Sequence, residues 1–353
     1  MSEDFSLQCP APLGNHTTVQ MAHGGGGRLM RALIEGFFRP AFGAGEKGAA
    51  LPPSHDSVVL PAKGSRMAFT TDSFVVHPLF FPGGDIGTLA VYGTVNDLAM
   101  AGARPAYLSA GFIVEEGLPM EMLRRVVASM AKAAEDSGVR IVTGDTKVVD
   151  RGKGDGLFIN TAGVGWVDEK VDISPARVQP GDAILVSGDL GRHGVAIMSV
   201  REGLRFEGAL ASDCGPLHEL VEAMLNAEAN VHCLRDLTRG GLAAALNEVA
   251  IDAKVGIEIE EQAVPVAEPV AAACEMLGLD PLYVANEGRL VAFVPAEAAE
   301  RLLAVMNSHP QAAGAARIGT VTDAHPGVVQ LRARFGGKRV VDLLSGEQMP
   351  RIC

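Results

Sequence analysis

A two-domain α/β chain with a mobile tail is the expectation, and three observations carry it. The chain is 353 residues long, enough for two cores. It is 48% hydrophobic with 42 glycines and one tryptophan, which suits short buried strands and many tight turns. Apolar segments of strand length alternate with segments of helical period, and a charged, proline-marked stretch at 168–182 divides them. We place an N-terminal glycine-rich segment at 1–45, an α/β domain at 46–170, a second domain at 171–335 and a mobile tail at 336–353.

In the first domain, residues 58–60 and 67–71 read as strands, the second running into Thr71-Asp72-Ser73. Gly83-Gly84-Asp85-Ile86-Gly87 opens an apolar helix closed by Gly102. Asn96 and Asp97 stand inside that helix, where poor helix formers need a reason. A strand at 104–112 precedes an amphipathic helix opened by Pro119 and stopped at Gly138. A short strand at 140–143 runs into Gly144-Asp145-Thr146-Lys147, and 157–167 completes the sheet.

The second domain starts with a strand at 183–187 and a glycine-rich turn, Gly188 to Gly194, that leads into a helix at 195–201. Helices follow near 216–229, 242–251, 270–277 and 296–307, among strands at 255–260, 290–294, 316–321 and 328–331. Arg235-Asp236-Leu237-Thr238-Arg239-Gly240-Gly241 makes a candidate phosphate-contacting turn at a helix start. From Gly336 onward the chain has glycines, Pro350 and no long apolar run, which reads as a free arm ending in Pro350-Arg351-Ile352-Cys353.

Bulk properties exclude several classes. Net charge is −12 and pI about 5.2, which argues against nucleic acid and anionic membrane as partners. No run of about 18 apolar residues offers a membrane span. Residues 1–14 lack the basic start and apolar core of a signal peptide. Cys9, Cys214, Cys233, Cys274 and Cys353 form no Cys-x-x-Cys pair, so a reducing cytoplasm is the simplest setting.

Two groups of residues suggest chemistry. Gly24, Gly25, Gly26 and Gly27 precede a helical segment at 29–38 and read either as an anion cradle or as a linker. Asp72, Asp85, Asp97 and Asp145 read either as caps and turn acids or as carboxylates held together by Mg²⁺ and nucleotide phosphates. His193 and Arg192, like His23, read as phosphate contacts or as solvated capping residues.

The motifs Thr71-Asp72-Ser73, Gly83-Gly84-Asp85-Ile86-Gly87, Val95-Asn96-Asp97-Leu98-Ala99, Gly144-Asp145-Thr146-Lys147, Arg235-Asp236-Leu237-Thr238-Arg239, Asn286-Glu287-Gly288 and terminal Pro350-Arg351-Ile352-Cys353 together resemble the HypE family of hydrogenase maturation proteins. The strand-end acids resemble the wider superfamily of aminoimidazole ribonucleotide synthetase. The terminal motif singles out HypE.

The resemblance implies an N-terminal α/β domain whose sheet pairs with that of a second subunit, an α+β C-terminal domain with mixed sheets flanked by helices, and a homodimer. It implies an ATP-dependent carbamoyl dehydratase. A carbamoyltransferase partner, HypF, loads the thiol of Cys353. ATP-driven dehydration turns the thiocarboxamide into a thiocyanate, and cyanide passes to iron on a HypC–HypD scaffold. The alternative is another superfamily enzyme, a synthetase or kinase acting on a free small molecule, or a carrier whose tail only delivers a group.

By the family pattern Cys353 is the carrier, and Lys147 and Glu287 take protons. Asp72, Asp85, Asp97 and Asp145 hold Mg²⁺. The glycines 24–27, Asp72, Asp85, Asn96, Asp97, Gly144, Asp145 and Asp236 contact the nucleotide.

Overall fold

The computed structural model describes residues 27–33, 58–62, 65–203, 210–228, 230–344 and 352. Strands β1 (Val58–Ala62), β2 (Ser65–Phe74), β5 (Ala103–Glu115), β6 (Arg140–Val149) and β7 (Leu157–Val167) form a five-stranded sheet in the order β1-β2-β7-β5-β6. Only β5 and β6 run parallel in it, joined through the helix Met120–Asp136. A two-stranded hairpin, β3 (Phe80–Phe81) and β4 (Gly84–Asp85), precedes helix α2 (Ile86–Met100). Helix α1 is the short Arg28–Leu33, and α3 is Met120–Asp136.

The second sheet has seven strands. They are β8 (Ala183–Val186), β9 (Cys233–Asp236), β10 (Gly256–Glu260), β11 (Leu290–Val294), β12 (Ala316–Thr322), β13 (Val329–Arg332) and β14 (Lys338–Val341), in the order β14-β13-β10-β12-β8-β11-β9. Helices α4 (Arg192–Arg201), α5 (His218–Ala227), α6 (Gly241–Ala253), α7 (Glu268–Leu277) and α8 (Ala299–Ser308) surround it.

Both faces of this sheet are covered. Leu185, Ala292 and Val294 pack with α5, α8 and the end of α2, whereas Ile184, Val291 and Phe293 pack with α6. That is why β8 and β11 read as unbroken apolar runs.

Helix α2 is buried on all sides because it lies between the domains. Leu89 and Val95 belong to the core with α3 and the first sheet, while Leu98, Ala99 and Met100 join the core shared with the second domain. This position explains Asn96. Its Oδ1 accepts from Leu217 N at 2.7 Å, and its Nδ2 donates to Gly215 O at 3.1 Å and Glu287 O at 3.5 Å. A polar side chain in an apolar helix thus ties α2 to loops of the other domain.

Several expectations shift. Asp72 lies inside β2, not at its end, and β6 continues through Asp145 and Lys147 to Val149. The acids look like strand ends in sequence because Gly144 interrupts the apolar run. Its Cβ position would fall 2.2 Å from Ala110 O, so glycine is needed for β5 and β6 to approach. The tail starts later than 336, since residues 338–341 pair with β13 and Val341 is buried. The helix expected at 29–38 is described only at 28–33.

Candidate active site

Gly24, Gly25, Gly26 and Cys353 lie outside the described residues. Gly27 is buried against the chain beyond β14. A Cβ there would sit 2.3 Å from Leu344 O, and Arg28 N donates to that same oxygen at 2.9 Å. Arg28 also pairs with Asp342. The absence of a side chain at Gly27 therefore serves close packing with residues 342–344.

The four anomalous aspartates do not converge within one chain. Asp85 caps α2: its Oδ1 accepts from Gly87 N at 2.7 Å, Thr88 N at 3.1 Å and Ser129 Oγ at 2.6 Å. This is a capping box with Thr88. Asp97 accepts from the Thr70 hydroxyl at 2.7 Å. Asp72 shares the α2 side of the sheet with Thr70 and Phe74, accepts from Ser73 N at 2.8 Å, and stands 3.8 Å from the Arg239 guanidinium.

Asp145 and Lys147 face the opposite way. They pair with Gly111 and Ile113 of β5, whose outward side carries exposed Tyr107 and Ile113. Asp72 and Gly144 share one row across the sheet, three strand spacings apart, or about 14 Å. The sheet itself stands between the two pairs of residues. Among the described residues no group of three or more His, Cys, Asp or Glu is placed to hold a metal ion.

What does converge is a junction between the domains, here called the cleft, where buried side chains gather around Glu287. The Asn286-Glu287-Gly288 loop is pinned from both ends. Asn286 Oδ1 accepts from Gly191 N at 2.7 Å, and its Nδ2 donates to Leu237 O and Val284 O. Glu287 is 3% exposed, and its Oε1 finds no hydrogen-bond partner among the described residues. Burial pushes its carboxyl well above the usual carboxylate range, Asp236, Asp213 and Asp72 push it further, and Arg239 opposes them. Asp236 is itself buried at the end of β9. A carboxyl so placed has a raised affinity for a proton and is suited to exchange one with a bound substrate.

Three residues that were not singled out as a site complete the cleft. Asp213 accepts from His193 N at 3.1 Å through Oδ1, and from Glu287 N at 3.2 Å and Gly288 N at 3.0 Å through Oδ2. Ser212 N donates to Pro82 O at 2.8 Å, closing the first domain's hairpin onto this loop. Cys214 is half-buried beside Glu287, and loss of solvent, then that carboxyl, pushes its thiol well above the usual range. Ser212-Asp213-Cys214-Gly215-Pro216 was legible only as a loop before a helix.

His193 is fully buried, so it is not a solvated residue. Its Nδ1 lies 2.8 Å from Ser212 Oγ, its Nε2 lies 2.6 Å from Ile352 O, and its ring meets Phe81 edge-on at 5.4 Å. Ile352 is 6% exposed within the core that includes Phe74, Phe81, Ile197 and Ala285. The residue before the terminal cysteine is thus held inside the cleft.

Comparison with known proteins follows the same outline. Residues 54–167 match the family model of the AIR synthase related protein, N-terminal domain, and 179–332 match that of its C-terminal domain. The chain is 56% identical over 336 residues to the carbamoyl dehydratase HypE of Azotobacter vinelandii, covering 95% of this chain and 97% of the relative. It resembles the solved HypE–HypF complex with a TM-score of 0.83 at 46% identity, covering 89% of this chain and all of that one (100%). It also resembles HypE solved in complex with ATP, with a TM-score of 0.80 at 48% identity, covering 95% and 100%.

Proposed function

The chain belongs to the HypE family of hydrogenase maturation proteins, built from two AIR synthase related domains, and on that premise we propose that it dehydrates a carbamoyl group carried on its own Cys353, using ATP, to a thiocyanate. The observation that carries this reading is a buried penultimate residue, Ile352, in the cleft that also holds a buried carboxyl with an oxygen unpartnered among the described residues. One peptide unit, about 3.8 Å between Cα atoms, links that residue to the thiol-bearing one.

An amide oxygen leaves poorly, so it is first phosphorylated. The carbamoyl oxygen accepts the γ-phosphoryl group and ADP departs. The nitrogen then gives up two protons in all while the C–O bond breaks. Thiocyanate and inorganic phosphate remain. Phosphoryl transfer asks for positioning and charge neutralisation more than for covalent chemistry. Arg239, beside Asp72 at the cleft, is a cation suited to the phosphates. Glu287 is the residue we assign to proton removal, since its raised affinity for protons lets it accept one from nitrogen. Magnesium bound with ATP would neutralise phosphate charge, and Asp72 and Asp97 would be the residues to hold it. Asp72 and Asp97 are the carboxylates on that side of the sheet.

Asp145 and Lys147 require a second chain in this reading. Their side of the first sheet is open and carries Phe69, Tyr107, Ile113 and Trp166, each 40–46% exposed, with the exposed strand β6 at its edge. Open apolar sheet faces and bare edges are covered in stable proteins. A homodimer packed through this face takes Asp145 and Lys147 into the junction between two chains, where Lys147 serves as the second proton acceptor. HypF is the loading partner, after the relative solved in complex with it, and a HypC–HypD scaffold receives the cyano group.

Intact-mass spectrometry tests the reading. With HypF, carbamoyl phosphate and ATP, the chain gains a carbamoyl group and then loses the mass of one water. Cys353→Ala binds nucleotide but shows neither change. An unmodified wild-type chain in the presence of active HypF overturns the proposal.

A further inference from the structure

Among the buried polar groups that the mechanism leaves unused is His193. His193 is the first-turn residue of α4, 0% exposed, and it touches three parts of the molecule: the Ser212 loop, the Phe81 hairpin and the C-terminal tail. A carbonyl oxygen can only accept, so the 2.6 Å contact with Ile352 O requires a proton on Nε2. Burial lowers the proton affinity of the imidazole, which leaves it neutral with a single N–H. Nδ1 must then accept, and Ser212 Oγ is the only donor that the described contacts give it, at 2.8 Å. The same Oγ accepts from Cys214 N at 3.0 Å, which aims its hydroxyl proton at the ring.

We propose that His193, fixed in one tautomer by Ser212, is the positioning residue that seats the tail, its Nε2–H holding the Ile352 carbonyl one residue short of the reacting sulfur. The backbone of His193 and that of Glu287 share the Asp213 carboxylate, at 3.1 Å and 3.2 Å. The seat for the tail and the proton-accepting residue therefore keep a set separation. Ile352 supplies the apolar half of the grip, buried in the core with Phe81 and Ile197. A tail that withdraws leaves an N–H unpaired inside that core, so partial withdrawal is unfavourable. The seat is a property of the chain alone; only its consequence for turnover rests on the proposed dehydration.

The test is the alkylation rate of Cys353 in the full chain, read on the C-terminal peptide released after Glu347. His193→Phe keeps the ring and removes the donor, and it is expected to raise the rate about tenfold, the scale of one lost hydrogen bond plus a poorer fit. His193→Gln, whose amide restores an N–H at similar reach, brings the rate back toward wild type. On carbamoylated protein the same series slows thiocyanate formation about tenfold and restores it, while HypF still loads every form. An unchanged alkylation rate in His193→Phe overturns the seat. If that variant fails to melt cooperatively, Ser212→Ala decides: a severalfold faster alkylation supports the seat and an unchanged rate rejects it. A chain that shows the alkylation pattern yet never forms thiocyanate keeps the seat and rejects the dehydration.

Discussion

The two sheets use similar strands and end in opposite environments. In the second domain, β8 and β11 are buried on both faces by helices from either side. In the first, α2 and α3 cover one face and leave Phe69, Tyr107, Ile113 and Trp166 exposed on the other. The difference assigns tasks. A sheet closed on both sides holds a loop such as Asn286-Glu287-Gly288 rigidly, because all three of its backbone N–H groups are paired. A sheet closed on one side leaves a face free, and in the proposed dimer that face is half of an interface. On that proposal the cleft side works within a chain and the open side between chains.

Three changes test that contrast. The largest effect is expected from Glu287→Gln, which should slow thiocyanate formation about 100-fold or more while carbamoyl loading persists, measured by single-turnover mass spectrometry. It carries a second signature. Glu287 binds its proton more tightly when folded, so its stabilising contribution is complete at low pH and is lost as pH rises through the raised folded value. The variant should melt higher than wild type in alkaline buffer, with the gap closing toward pH values near the ordinary carboxylate range. Equal melting at all pH values would show that the carboxyl is not desolvated.

Next comes the open face. Trp166→Asp should weaken self-association roughly 30-fold or more, read by sedimentation, with turnover falling in parallel. A variant that stays dimeric and active would remove the open face from the mechanism. The smallest effect belongs to the tie between the domains. Asn96→Ala should cost about 2 kcal/mol in chemical denaturation, because Leu217 N and Gly215 O lose a buried partner. Little loss there would mean that water replaces the amide.

Much of the architecture was legible in the residues. Pro119 and Gly138 bracket α3 as expected, Gly138 with φ of +63°. The strand at 290–294 and the helix opened by Asp85 are where the pattern put them. The terminal motif and Asn286-Glu287-Gly288 carried the family, and the relatives agree. Other features were hidden because sequence shows residue type but not facing. Asp72 and Asp145 look alike, each an acid after an apolar run, yet they project from opposite sides of one sheet. Asn96 looks like a ligand-binding residue and is a tie between backbones. His193 looks like a residue of a surface turn and is wholly enclosed. No local pattern marks Asp213, because its three donors come from segments about 20 and 75 residues away.

One carboxylate has a mechanical consequence. Asp213 joins the first turn of α4 to the loop after Val284, and both belong to the second domain. If the domains breathe, Asp72, Asp97 and the Phe81 side of the Ile352 pocket travel with the other half, but His193 and Glu287 move as a single body. Opening the cleft would thus loosen the apolar hold on the tail while its polar hold keeps a constant distance from Glu287.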